Sequence, residues 1–167
     1  MDAFKTGLVL NIWPGQVRRS YTVKLGYLWL LGARTHQPWG AIIWNRRSLP
    51  RHTFTAWLFF HQRVPVRHRI TKFNNQIGEV LCGLCNEEEE TLEHLFLSCT
   101  WAREFWQLLS QWWPIPRFNP TYASFFRALK RMKRSQKQKH ITYAMVAAAL
   151  YQIWRARNTN VLNHILL

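Results

Sequence analysis

Three cysteines and one histidine are the residues of this chain whose types and spacing could do chemistry. Cys82 and Cys85 form a C-x-x-C pair, His94 follows after eight intervening residues, and Cys99 follows after four more. The 167-residue chain has no other cysteine. Thiolates and an imidazole at this spacing suit a tetrahedral zinc site. The spacing therefore predicts one Zn²⁺ ion held by Cys82, Cys85, His94 and Cys99.

Such a site would be structural, because four protein ligands leave no open position for water or substrate. The alternative is three ordinary buried cysteines and a surface histidine. Two-metal chemistry needs several convergent carboxylates, but Asp2 is the only aspartate and four glutamates crowd the run Glu87–Glu90. We expect that run to be solvated, although a glutamate near His94 could contact its second ring nitrogen. The sequence predicts no enzymatic activity.

The charge of the chain is unevenly distributed. The net charge is +15, yet seven of the eight acidic residues lie within 79–104, which holds a single basic residue, Arg103. The segments on either side are strongly basic, and 105–167 has no acid. A basic excess of this kind predicts attraction to a polyanion through phosphate contacts. The alternative is a charged surface that only maintains solubility.

Two basic clusters are the candidate nucleic-acid contacts. The first cluster, within residues 63–72, lies beside the predicted zinc-binding loop. The second, within residues 130–139, is the densest positive run of the chain, and it could also be a nuclear import signal or a solvated linker. Aromatic residues could stack on unpaired bases, but their helical spacing favours core packing. The candidate residues are Arg63, Arg67, Arg69, Lys72, Lys130, Arg131, Lys133, Arg134, Lys137 and Lys139.

The periodicity of apolar residues predicts a mainly α, compact and irregular helical domain with one Cys₃His zinc-binding loop. Residues 1–19 are an irregular lead-in, 20–163 form a single domain, and 80–113 form its zinc module. Helices are expected after Thr22, over 39–44, from Pro50 until Pro65, over 66–73, 100–113 and 121–134, and from about His140 to Val161. In the helix over 100–113, Trp101, Phe105, Leu108 and Trp112 form one apolar stripe.

Several blocks of the sequence, in order, resemble the reverse-transcriptase zinc-binding domain of plant LINE-type (non-LTR) retroelements. The resemblance covers roughly residues 12 to 160 and implies the same four zinc ligands and a nucleic-acid setting, without polymerase activity. Val66 stands where the family has a capping threonine. The blocks are Tyr21–Tyr27, Pro38-Trp39 with Ile43-Trp44, Pro50–Phe54, Trp57-Leu58, Arg63–Pro65 with Arg69, Cys82–Cys99 followed by Trp106, and Ile153–Asn158.

The leading interpretation is a non-catalytic, zinc-stabilised nucleic-acid-binding domain derived from a retroelement, freestanding or domesticated. It would bind RNA or DNA mainly through phosphates. An alternative is a protein-interaction module or a subunit of a nuclear or organellar ribonucleoprotein, and a third is a decayed element fragment. We expect an intracellular protein, nuclear rather than organellar. We also expect no membrane partner, since the longest uncharged stretch near the chain end, 141–154, is shorter than the roughly 20 residues that a spanning helix needs.

Overall fold

A computed structural model of the chain describes Val23, residues 39–72 and residues 80–165. The chain divides into two compact units, Met1–Gln37 and Pro38–Leu167, and all of the described residues except Val23 belong to the second unit. The predicted lead-in over 1–19 and the helix predicted after Thr22 fall outside the described residues, apart from Val23. They stay predictions, as does the single domain over 20–163.

The described residues are mainly helical, so the predicted fold class is confirmed. In this part of the chain no strand is present, and one antiparallel bridge pairs Leu81 with Glu89. None of the described helices is long and apolar enough to cross a membrane. The helices are α1 (Gly40–Ile43), α2 (Pro50–Phe60), α3 (Arg67–Thr71), α4 (Thr100–Trp112), α5 (Tyr122–Lys130) and α6 (Gln136–Ile165), with a π-helical turn over His94–Ser98.

Local signals explain where these helices begin. Pro50 occupies the first turn of α2, where its missing N–H costs nothing. The Thr121 hydroxyl accepts the N–H of Ser124 at 3.3 Å and caps α5. Helix α6 begins within the basic run rather than near His140, because Ser135 and Gln138 form a reciprocal capping box. The Ser135 N–H donates to the Gln138 side chain at 3.2 Å, and the Gln138 N–H donates to the Ser135 hydroxyl at 3.3 Å.

Aromatic side chains build the core that carries the metal loop. Helix α2 packs along α6, and Phe59 of α2 is fully buried. Its ring meets that of Phe96 in the π-turn edge to face, with centroids 5.2 Å apart, and that of Phe125 in α5 at 5.7 Å. Full burial of one such side chain contributes about 1.5–3 kcal/mol. This packing fixes the π-turn against α2, and the turn also contacts α4 and α6.

Helix α4 presents only part of the predicted stripe to the core, because Trp101 and Phe105 pack half-buried against it while the rest of the stripe does not. The predicted stripe ended in Leu108 and Trp112, and both are exposed. The buried residues are Ala102 and Trp106 instead. The Trp106 indole N–H donates to the Phe96 carbonyl at 2.8 Å, so this large ring can be buried with its polar atom satisfied. The partner for that N–H comes from the π-turn, which apolar spacing within α4 cannot reveal.

Candidate metal centre

The first two cysteines lie in a tight turn at the end of a short hairpin. The Cys82 N–H donates to the Glu88 carbonyl at 2.7 Å, and the Glu90 N–H donates to the Val80 carbonyl at 2.8 Å. The Asn86 N–H closes the turn by donating to the Cys82 carbonyl at 2.9 Å. Asn86 has a φ of 56°, a left-handed conformation that asparagine tolerates better than most residues. The hairpin therefore folds both thiols toward one point.

The histidine and the third cysteine come from the π-turn. In an α-helix, residues five apart point about 140° away from each other. Here the Cys99 N–H donates to the His94 carbonyl at 2.7 Å, which widens the turn so that both side chains reach the same site. Thr91 caps this turn, because the His94 N–H donates to the Thr91 hydroxyl at 3.0 Å.

The structure brings the four predicted ligand side chains together. Their sulfur and nitrogen atoms all lie within 4.8 Å of one another. The Cys82 and Cys99 sulfurs are 3.9 Å apart, and the Cys85 sulfur lies 3.2 Å from His94 Nε2. Zinc–sulfur bonds of about 2.3 Å in a tetrahedron would separate two sulfurs by about 3.8 Å. The cluster thus has the donor set and spacing to hold a metal ion, of which zinc fits best.

A carboxylate orients the histidine. Nδ1 of His94 lies 2.9 Å from Glu88 Oε2, and His94 is buried while Glu88 is exposed. The carboxylate accepts a hydrogen bond from Nδ1–H of His94. Nε2, the nitrogen that faces Cys85, is then free to bind metal. This is the carboxylate–histidine arrangement that commonly supports a zinc ligand. Glu88 is thus the glutamate near His94 that the sequence allowed for.

A hydrogen bond between two of the thiols holds a proton within the cluster. The hydrogen bond from Cys82 to Cys99, with burial, raises the pKa of Cys82, and the same bond lowers the pKa of Cys99. Zinc binds thiolates, so its binding must release the proton that this bond holds. Apparent metal affinity is therefore expected to rise with pH.

A family model described as zinc-binding in reverse transcriptase matches residues 21–106, more than half of the chain. The chain belongs to this family. The match includes all four side chains of the cluster, and it ends before the Ile153–Asn158 block. No curated protein and no solved structure matches the chain.

One glutamate of this zinc-binding domain corrects the prediction that the whole Glu87–Glu90 run is solvated. Glu90 is 0 % exposed. Arg157 Nη2 in α6 donates to its Oε1 at 2.6 Å, and Arg157 Nε lies 3.1 Å from both carboxylate oxygens. The Gly83 N–H donates to Oε2 at 3.0 Å, and the Arg67 N–H donates to Oε1 at 2.9 Å. Burial is possible because each oxygen is paired.

The contacts of Glu90 join three parts of the domain. Its carboxylate reaches the metal turn at Gly83, the start of α3 at Arg67, and α6 at Arg157. The carboxylate also accepts the N–H of Arg67, the first residue of α3. It thereby replaces a side-chain cap, because the preceding residue, Val66, has no side-chain oxygen. The helical spacing of the sequence contains one indication of this pair. Arg157 falls on the same face of α6 as the buried residues Val146, Leu150 and Ile153. A charge on an apolar face requires a partner.

Helix α6 approaches the metal turn closely. A Cβ atom on Gly83 would lie 2.8 Å from Val161 Cγ2 and 3.4 Å from Glu90 Oε2. Only glycine leaves room for this approach at the second position of the C-x-x-C turn. The metal turn and the C-terminal half of α6 therefore pack directly against each other.

The candidate nucleic-acid residues divide into exposed and structurally engaged side chains. Arg67 Nη1 donates to the Leu81 carbonyl at 2.9 Å, and Arg69 Nη1 donates to the Gln62 carbonyl at 2.5 Å. Arg134 donates to the Pro114 carbonyl and to the Thr142 hydroxyl. Lys139 is half-buried. The exposed candidates are Arg63, Lys72, Lys130, Arg131, Lys133 and Lys137.

Proposed function

We propose that this domain is a non-catalytic, zinc-stabilised module that binds RNA or DNA through phosphate contacts and derives from a plant non-LTR retroelement. The observation that carries the proposal is the separation of charge. Acidic residues are concentrated around the metal loop, where several of them pair internally, while the basic residues of 130–139 are mostly exposed. A polyanion is the partner that complements such a surface.

Zinc is the proposed metal because three thiols and an imidazole suit it, and four protein ligands complete a tetrahedron. Elemental analysis of the pure, reduced protein should give about one zinc per chain. The double variant Cys82→Ser/Cys85→Ser should lose the metal, while Ser98→Ala, which alters a side chain beside the cluster, should retain it. Pure protein without any bound transition metal would contradict this part of the proposal.

Nucleic-acid binding is tested by its salt dependence. Affinity for RNA and DNA should fall steeply as salt rises, because each neutralised phosphate releases counterions. The variant Lys133→Gln/Lys137→Gln removes two exposed charges and should flatten the logarithmic salt slope by about two. Arg103→Gln removes one exposed charge from the acidic segment and should leave the slope nearly unchanged. A wild-type slope near zero in filter-binding titrations would reject the proposal.

A non-catalytic role is supported by the places of the carboxylates. Glu88, Glu89 and Glu90 contact His94, His68 and Arg157 respectively, so they are engaged in structural pairs. The three cysteines belong to the metal cluster, and its four ligands leave no position for substrate. Incubation of the zinc-loaded protein with labelled RNA and DNA should release no products.

A second candidate function is protein interaction, as a subunit of a nuclear ribonucleoprotein. The observation that favours it is the outer face of α4, where Leu108 is exposed and Trp112 is 84 % exposed. Exposed large apolar side chains on one helix face often mark a protein interface. Co-purification of a defined protein after nuclease treatment, lost in Trp112→Ala, would favour this function over nucleic-acid binding.

A further inference from the structure

An open, mostly apolar pocket of about 730 Å³ lies between α1 and the start of α2. Residues lining it include Trp44, Asn45, Arg46, Pro50, Phe54 and Trp57. The Trp44 side chain is 69 % exposed and Phe54 is 60 % exposed. A contiguous surface of exposed aromatic rings often marks a site where a ligand or partner binds. The volume falls within the range typical of small-molecule sites.

The elements that carry these rings are held in place. The buried Asn45 donates its amide N–H to the His140 carbonyl at the start of α6, and its side-chain oxygen accepts the Arg47 N–H at 3.1 Å. The Ser48 N–H donates to the Asn45 carbonyl at 3.0 Å. On α2, the rings of Phe54 and Trp57 stack with centroids 5.9 Å apart and planes 22° apart. The aromatic surface is therefore preorganised for a flat ligand.

Two exposed arginine side chains lie at or next to the pocket. Arg46 lines it, Arg47 is its neighbour in the loop, and both are exposed and form no ion pair with the described residues. The sequence has no acidic residue between 39 and 78. Aromatic rings beside unpaired arginines are the combination that binds single-stranded nucleic acid, with stacking for the bases and cations for the phosphates.

We infer that Trp44 and Phe54 stack on unpaired nucleobases while Arg46 and Arg47 contact the adjoining phosphates. The inference rests on the proposed nucleic-acid binding and extends it, because it assigns a single-strand site separate from the basic run 130–139. Duplex bases are already stacked on each other, so the pocket should discriminate single strands from duplexes. Stacking tolerates any base, so sequence preference should be weak.

The test compares the full-length zinc-loaded protein with three variants. Trp44→Ala and Phe54→Ala should each weaken binding of a fluorescein-labelled 12-nucleotide oligo(U) or oligo(dT) about tenfold. Neither should change the salt slope or the affinity for a 12-base-pair duplex. Trp112→Ala is the matched control, because it removes an exposed indole from α4, outside the pocket, and should leave both affinities unchanged. Comparison of oligo(U) with oligo(dT) distinguishes RNA from DNA.

Photocrosslinking locates the bound strand independently of affinity. A 12-mer carrying 4-thiouridine should crosslink to the peptide that contains Trp44 or Phe54. If the wild type binds oligonucleotides with a normal salt slope but both pocket variants bind equally well, and crosslinks fall only within 130–139, the stacking site is wrong while the proposed function stands. If the wild type binds no nucleic acid, the proposed function itself fails.

Discussion

Arg157 shows how one side chain connects the metal loop to the rest of the domain. Removing a guanidinium and a carboxylate from water is costly, and good geometry must offset that cost. Here Arg157 and Glu90 meet through two nitrogens and two oxygens, and backbone N–H groups of Gly83 and Arg67 satisfy the carboxylate further. The pair therefore fixes which face of α6 meets the metal turn, whatever its net effect on stability.

Removing one partner of this pair should be severe. Arg157→Gln leaves the Glu90 charge buried without its main partner, so we expect the free energy of unfolding to fall by about 3–5 kcal/mol. Arg155→Gln is the control, because Arg155 is exposed two residues earlier on α6, and it should change stability by less than about 0.5 kcal/mol. Urea denaturation of the zinc-loaded proteins measures both. Equal effects of the two substitutions would show that the pair contributes nothing specific.

The close approach at Gly83 makes a second prediction at this scale. Gly83→Ala should destabilise the domain by about 1–3 kcal/mol, because its Cβ would overlap Val161 Cγ2. Val161→Ala removes that methyl, so the double variant should recover much of the loss. Gly40→Ala is the control, since nothing lies within 4 Å of the added Cβ and helix α1 should tolerate or slightly prefer alanine. Additive effects of Gly83→Ala and Val161→Ala in a double-mutant cycle would contradict this packing.

At the scale of elements, the π-turn explains why four dispersed ligands become one cluster. Ligand identity was predictable from spacing, because few other uses fit three cysteines and a histidine within eighteen residues. The π-helical conformation of the turn was not predictable, because the sequence of His94–Ser98 contains nothing that distinguishes a π-turn from an α-helical one. Its i to i+5 hydrogen bond is stabilised by tertiary packing of Leu95, Phe96 and Leu97, all buried.

Side chains close to the helix start marked some helix positions but not that of α6, where the Ser135–Gln138 capping box was not recognised. Pro50 and Thr121 marked the starts of α2 and α5. In α4, Trp101 and Phe105 of the predicted stripe pack against the core, but the burial of Trp106 was missed, because its hydrogen-bond partner lies in another element. The burial of Glu90 was missed for the same reason: four successive glutamates look alike in sequence, and only the position of Arg157 in space selects one of them.

The capping box of α6 gives a prediction about an element. Ser135→Ala should lower the free energy of unfolding by about 1 kcal/mol, because it leaves the Gln138 N–H without its acceptor. Ser110→Ala is the control, because its hydroxyl is exposed within α4 and donates only to the Gln107 carbonyl of the same helix. Thermal unfolding followed by circular dichroism measures the difference. A Ser135→Ala protein as stable as the control would show that the first turn of α6 needs no cap.

At the scale of the whole molecule, the acidic loop does little to neutralise the basic surface. Three of its glutamates are paired inside the domain, since Glu88 contacts His94, Glu89 contacts His68 and Glu90 contacts Arg157. The positive excess of the flanking segments therefore remains available to an external polyanion. Charge on the metal loop serves folding, whereas charge on the flanks serves the proposed binding.

Metal removal should loosen one half of α6 and not the other. The first half of the helix buries Val146 and Leu150 in the core with α2, which needs no metal. The second half is held by Glu90 and Gly83, both of which lie in the turn that the metal orders. A structural zinc ion supplies folding free energy to the segment that binds it, so chelation should disorder that turn and release its contacts.

Amide hydrogen exchange of the zinc-loaded and chelated proteins tests this coupling. We expect exchange of amides near Arg157 and Val161 to accelerate on chelation, while amides near Val146 and Leu150 stay protected. Arg157→Gln should show the faster exchange even with zinc bound, because it removes the contact between α6 and Glu90. Uniform loss of protection along α6 would show that the domain unfolds as one unit without metal. Unchanged protection near Arg157 would show that the helix holds its place without help from the metal turn.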